Sequence, residues 1–193
     1  TDLRVEGVDV HIKKGCLYDW ENVFLEVYDS VEFAIGSWDV PLKKAMEISY
    51  KLSADMPQGL WVARSVNDKG EVSGAIVCNQ AVGRLDFKTK NMGRYKMDRD
   101  TVPPRLLPKH SGTPVVKNGD LIFHVDDAVS GVEKIEATMD GEWILLRWNP
   151  KKKEAIYKAA DAVHEKGSKV KIEVVARDAV GLESKWSGHV QMK

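Results

Sequence analysis

The sequence predicts an all-β chain built as two tandem β-sandwich domains, residues 1–100 and 101–193. Three observations predict it. Short runs alternate apolar and polar residues with a period of two. Turn-forming residues separate these runs at roughly ten-residue spacing. An adjacent proline pair, Pro103-Pro104, follows a charged stretch near the middle of the chain. Side chains of a strand point alternately to opposite faces, so an alternating strand buries its apolar face only against another layer.

Taken in order, Val8-Asp9-Val10-His11-Ile12 alternates as a half-buried strand does. Lys13 to Asp19 turns around Gly15. Asn22 to Tyr28 is a second strand, rich in β-branched and aromatic residues. Glu47 to Leu52 and Leu60 to Val66 alternate again, and the latter ends at Asn67-Asp68-Lys69-Gly70, a composition suited to a tight reversal. Ala75 to Cys78, Gly83 to Lys88 and Met92 to Met97 complete the first half. Prolines lack the backbone donor that a sheet ladder needs, so Asp98 to Pro104 is a short, stiff linker and marks the domain boundary.

The second half repeats the style. Asp120 to Asp126 is a strand, Asp127 to Val132 a turn, and Glu133 to Met139 a strand running into the hairpin pair Asp140-Gly141. Glu142 to Trp148 pairs back as one strand. Lys169 to Arg177 alternates over nine residues, and a last strand ends near Met192. Lys153 to Glu165 is ambiguous. Its alanines suit a helix, while a strand through Ile156-Tyr157 followed by one helical turn fits a small sandwich equally well.

Composition narrows the function classes. Lys plus Arg equals Asp plus Glu at 29 each, and the balance holds in both halves, so the basic excess of a nucleic-acid binder is missing. The run Lys151-Lys152-Lys153 follows Asn149-Pro150 and reads as a solvated turn. No apolar stretch nears the roughly 20 residues of a membrane-spanning helix. Cys16 and Cys78 fit no metal spacing and are expected as two buried thiols rather than a disulfide.

Several motifs together carry a family resemblance. In the second half they are the lead-in Asp100-Thr101-Val102-Pro103-Pro104, the turn Asp126 to Val132, the hairpin Met139-Asp140-Gly141-Glu142-Trp143, and Ala176-Arg177-Asp178-Ala179-Val180-Gly181. In the first half they are Ile12 to Asp19 and the late stretch Leu85 to Met97. In order and spacing the chain resembles the C-terminal tandem β-sandwich region of lysostaphin-like (murein endopeptidase) zinc metallopeptidases of Bacteroidetes, whose second sandwich is immunoglobulin-like. The family often has Ala where Cys16 stands and Gly-Asn where Val180-Gly181 stands. The resemblance implies an extracytoplasmic accessory module, at the periplasm or cell surface. Its partners would be a catalytic domain N-terminal to Thr1, and a cell-wall glycan or surface protein.

No catalytic constellation and no cofactor are expected within the chain. A zinc peptidase of that family needs His and Asp from one motif and a later His-x-His. The five histidines, His11, His110, His124, His164 and His189, form neither that pattern nor His-Glu-x-x-His. No Gly-x-Ser-x-Gly elbow and no phosphate-cradling glycine loop occur.

Two groups of residues remain as candidate sites. Asp126, Asp127 and Asp178 lie in two loops that could meet at one end of the second sandwich and offer oxygens to calcium. The simpler alternative is that each Asp bonds its own turn backbone. Trp143 and Trp148, with Arg147, form an aromatic candidate for stacking on sugar, among six tryptophans that also include Trp20, Trp38, Trp61 and Trp186. Alternation puts Trp143 and Trp148 on opposite faces unless a bulge intervenes, so one is core. A glycan-binding module predicts two exposed tryptophans on one face. The expected function is therefore a non-catalytic module that positions a partner domain or provides a binding surface. A glycan- or peptidoglycan-binding module using exposed Trp is the alternative, with a hydrolase whose site lies at the domain interface as a third.

Overall fold

The structure is a computed structural model that describes residues 1–19, 22–54, 56–57, 59–109, 115–116, 120–158 and 167–192. Trp20, His110, His164 and the helical turn expected after Tyr157 lie outside these residues. The described residues form strands and connecting turns with no helix, so none is long and apolar enough to cross a membrane. The chain divides into two compact units, Thr1–Asp100 and Thr101–Lys193.

The first unit holds ten strands: β1 (Asp2–Val5), β2 (Val8–His11), β3 (Leu25–Val27), β4 (Glu32–Ile35), β5 (Pro41–Lys51), β6 (Trp61–Val66), β7 (Val72–Val77), β8 (Asn79–Ala81), β9 (Arg84–Asn91) and β10 (Gly93–Arg99). They form two five-stranded antiparallel sheets, ordered β1-β2-β5-β9-β8 and β3-β4-β10-β6-β7. The inward residues of both sheets, among them Val8, Val10, Phe33, Ile48, Leu85, Phe87 and Tyr95, join in one apolar core. Tyr95 is buried with its ring against Phe33 and Phe87, at centroid distances of 5.9 and 5.7 Å. Its hydroxyl would be costly to bury unpaired, but it donates to the carbonyl of Asn91 at 2.6 Å and lies 2.9 Å from Thr89 Oγ1. The long strand β5 shifts register against β9 between Pro41 and Met46. Pro41 opens that strand, a position where its missing donor costs no ladder bond.

The second unit holds nine strands: β11 (Arg105–Pro108), β12 (Val115–Val116), β13 (Asp120–Asp126), β14 (Val132–Met139), β15 (Glu142–Ile144), β16 (Arg147–Asn149), β17 (Glu154–Lys158), β18 (Lys169–Asp178) and β19 (Glu183–Met192). Its sheets run β11-β13-β17-β16 and β12-β19-β18-β14-β15. Every pairing in them is antiparallel except β12 with β19. Leu121, Phe123, Val125, Ala137, Met139, Tyr157, Val170, Ile172, Val174 and Val190 make its core. At the hairpin between β14 and β15, Asp140 and Gly141 both have positive φ, 48° and 90°, as a type I′ turn requires. Asp140 Oδ1 also accepts from the Lys171 N–H at 2.8 Å, which ties the turn to the start of β18.

One expectation changes and one ambiguity is resolved. Residues Glu142 to Trp148 are not one strand. They break at Leu145-Leu146 into β15 and β16, which belong to different sheets. The ambiguous segment begins as strand β17, whose Ala155 and Tyr157 are buried while pairing places Ile156 opposite Ile122. There, neighbouring strands offer ladder partners on both sides, and pairing overrides the local helix preference of Glu, Ala and Lys.

Candidate functional site

The three aromatic-candidate residues of the second unit do not share a face, because the chain crosses between sheets after Ile144. Trp143 lies on the edge strand β15, opposite Thr138 of β14, and is 67% exposed. The register continues its row outward through Glu173 and Ser187. Arg147 and Trp148 sit in the other sheet on β16, opposite Ile156 and Ala155. Arg147 is exposed, whereas Trp148 is half-buried against the core. Trp186 is also turned inward, edge-on to Phe123 at 5.0 Å. Among the described residues of this unit, Trp143 is thus the exposed tryptophan, and no second one joins it on a common face.

The acidic trio does not assemble either. Asp126 ends β13 and forms an ion pair with Lys153 Nζ at 2.7 Å. Asp127 and Asp178 do approach, with carboxylate oxygens within 4.8 Å. Each has an oxygen engaged by its own loop. Asp127 Oδ1 accepts from the N–H groups of Val129 (3.1 Å) and Gly131 (2.6 Å). Asp178 Oδ1 accepts from Val180 (3.0 Å) and Leu182 (2.8 Å). The two loops use the same i+2, i+4 pattern and are joined where Ala179 N–H donates to the carbonyl of Gly131 at 3.1 Å. These carboxylates therefore organise turns. The third carboxylate of the expected set, Asp126, faces a lysine instead.

A better-formed feature lies in the first unit, on the outer face of the sheet β3-β4-β10-β6-β7. The register aligns Glu26, Ala34, Arg94 and Val66 in one row across four strands. On either side of Glu26, at the same parity along the chain, stand Phe24 and Tyr28, 50% and 48% exposed. Trp38, 69% exposed, follows β4 after a short turn. Phe24, Glu26, Tyr28 and Trp38 surround a depression of about 350 Å³ whose floor includes Ala34, Gly36 and Gly93. A second depression of about 460 Å³ lies alongside and shares Trp38, Asp68 and Arg94.

The floor depends on its two glycines. A Cβ on Gly36 would clash with Met92 Sδ, and one on Gly93 would meet Trp38 Cβ at 3.1 Å. Both have positive φ, 53° and 115°, which side-chain-bearing residues rarely adopt. Arg94 is fixed on two sides. Its guanidinium pairs with Glu32, which raises its pKa, and stands 4.8 Å above the Tyr28 ring. The Tyr28 hydroxyl donates to Glu26 Oε2 at 3.1 Å. Its phenol pKa is raised by partial desolvation and then by that carboxylate. Asn67, on the rim, accepts the N–H groups of Lys69 and Glu71 and holds its own turn. Sequence alternation did not single these residues out, because Phe24 and Tyr28 alternate with the equally apolar Val23, Leu25 and Val27.

Other reactive side chains are scattered. His11 pairs with Asp2, His124 is half-buried in β13, and His189 is exposed on β19. Glu47 is held down to about 2 by hydrogen bonds from Lys13 and Lys88. Cys16 and Cys78 are both free and buried, and burial pushes the Cys78 thiol up to about 12. The thiolate is the nucleophile, so Cys78 is inert at neutral pH. In the native protein at pH 8, Ellman's reagent is expected to leave Cys78 unmodified over an hour and to label it at once in denaturant. Rapid native labelling, mapped to Cys78 by mass spectrometry, would contradict this.

Fold and surface together define a class, an all-β protein of antiparallel β-sandwich construction with large aromatics turned to solvent. No known family model matches the chain, and no curated protein matches it significantly.

Proposed function

We propose that the chain is a non-catalytic accessory module of an extracytoplasmic bacterial cell-wall or surface protein, which positions a partner or catalytic domain and gives it a binding surface. The observation that carries this is the outward placement of Trp143 in the second unit and of Trp38 in the first, each about two-thirds exposed. Tryptophan is normally well buried, and an exposed one beside polar groups is a common recognition feature. The resemblance to the accessory region of lysostaphin-like peptidases supports the cell-wall setting. Strand order supports the immunoglobulin-like character of the second unit: β11-β13-β17-β16 corresponds to strands A-B-E-D, and β19-β18-β14 to G-F-C.

The test is co-sedimentation of the purified chain with insoluble peptidoglycan sacculi. The chain is expected to pellet with the sacculi and to release no soluble muropeptide, and Trp143→Ala is expected to lower the retained fraction several-fold. Muropeptide release in proportion to added protein would make the chain a hydrolase. A chain left wholly in the supernatant would overturn wall binding.

A further inference from the structure

We propose that the aromatic groove of the first unit, between Phe24, Tyr28 and Trp38 on the outer face of β3-β4-β10-β6-β7, is a glycan-binding site for a neutral pyranose sugar. It deepens the binding function proposed above by naming a ligand class and a place. It does not rest on the cell-wall setting.

Three observations converge. First, Tyr18, Phe24, Tyr28 and Trp38 are the exposed aromatics among the described residues of the first unit, and three of these four line one depression. Chance surface exposure scatters apolar side chains singly, whereas a cluster around a concavity marks a recognition surface. The volume, about 350 Å³, is at the lower end of the range for small-ligand pockets and suits one or two sugar rings.

Second, the polar groups fit hydroxyls rather than ions. Glu26 and Asp68 face the depression with acceptor oxygens, and Arg94 supplies its single positive charge. Arg94 is already neutralised by Glu32, so the lining carries a net negative charge that disfavours phosphate and anionic polymers. A cationic ligand, such as a quaternary ammonium, would seek the face of an aromatic ring. On Tyr28 that position is taken by the Arg94 guanidinium at 4.8 Å. With Tyr28 already capped by a cation, the exposed Trp38 and Phe24 rings beside the acceptor oxygens of Glu26 and Asp68 suit a neutral pyranose with equatorial hydroxyls. It presents a flat C–H face to an aromatic ring and a rim of hydroxyl donors to carboxylates.

Third, the groove is preorganised. Gly93 lets the backbone of Trp38 sit directly on the sheet, and Glu26 steers the Tyr28 hydroxyl. A site whose side chains are already positioned loses less entropy on binding.

The experiment titrates the full chain with chitohexaose, cellohexaose and mannohexaose, with choline and pyrophosphate as the ionic arms. Isothermal calorimetry and the indole N–H resonances in ¹H–¹⁵N spectra are the readouts. At least one neutral hexasaccharide is expected to saturate below about 5 mM and to shift the Trp38 indole signal. Trp38→Ala is expected to weaken that binding by about three- to tenfold, as loss of one stacked ring should, while Tyr18→Ala, an exposed aromatic outside the groove, leaves it unchanged. The wild-type indole shift keeps the test decisive should the Trp38 variant fold poorly. No saturation by any hexasaccharide, tighter binding of choline or pyrophosphate, or an unmoved Trp38 indole would overturn the proposal. Failure with sacculi alongside Trp38-dependent hexasaccharide binding would overturn the cell-wall setting and leave the groove standing. Retention on sacculi without any Trp38 dependence of hexasaccharide binding would do the reverse.

Discussion

Phe123→Ala is expected to destabilise the second unit by about 3–5 kcal/mol, the usual cost of truncating a buried phenylalanine. Phe123 is fully buried on β13, opposite Ala155 of β17, and reaches across to the ring of Trp186 on β19. It therefore bridges the two sheets. Ala137, Ala155 and Ala176 are the small residues in this core, and small neighbours cannot swing in to fill the void left by a ring. The ring pair with Trp186 adds to the loss beyond buried area. Small domains are stable by only about 5–15 kcal/mol, so the variant sits near the edge of folding. Urea unfolding of the full chain, followed by tryptophan fluorescence, should show a transition moved to much lower urea. Phe123→Leu, which keeps most of the volume, should lose far less. A change below about 1 kcal/mol for Phe123→Ala would show that the two sheets are not joined through this ring.

Asp178→Ala is expected to cost about 2–4 kcal/mol, since it removes two hydrogen bonds to a buried carboxyl and leaves their donors without that acceptor. The side chain of Asp178 is fully buried, and its Oδ1 accepts from Val180 and Leu182 in the turn that joins β18 to β19. Without the carboxyl group those two N–H groups lose their acceptor in a part-buried turn. For a domain of this size such a loss lowers Tm by about 10–25 °C. Asp178→Asn keeps an acceptor oxygen and should recover part of the difference. Asp127→Ala, at the partly exposed counterpart loop, should cost less. If Asp178→Ala were neutral while added calcium raised the Tm of the wild-type protein, the carboxylate would be a metal ligand rather than a turn organiser.

The strands that could be read directly were those with one apolar face and one polar face. Lys169 to Arg177 places Val170, Ile172, Val174 and Ala176 inward and Lys169, Lys171, Glu173 and Arg177 outward, and β18 follows that pattern. Asp120 to Asp126 is β13 with the same bounds. Where apolar residues occupy both parities, alternation loses its meaning. In Glu142 to Trp148, Trp143 and Leu145 compete with Ile144, Leu146 and Trp148, so nothing local says which side faces the core. The chain resolves this by leaving one sheet and joining the other. The same ambiguity hid the groove, because Phe24 and Tyr28 alternate with Val23, Leu25 and Val27, and either set could have been interior. Asp126 escaped notice as an outlier for another reason. Adjacent carboxylates in one loop look alike in sequence, and its partner Lys153 lies 27 positions away.

Local chemistry was enough to establish an all-β chain, the hairpin at Asp140-Gly141 and the loop-binding of Asp127 and Asp178. Each depends on interactions within a few residues, where period and turn chemistry act directly. Strand partners, the crossing of β15 to β16 and the gathering of Phe24, Tyr28 and Trp38 around one depression depend on contacts between distant segments. Such contacts are settled by which faces the folded sheets leave uncovered, and a short stretch of sequence carries no record of that.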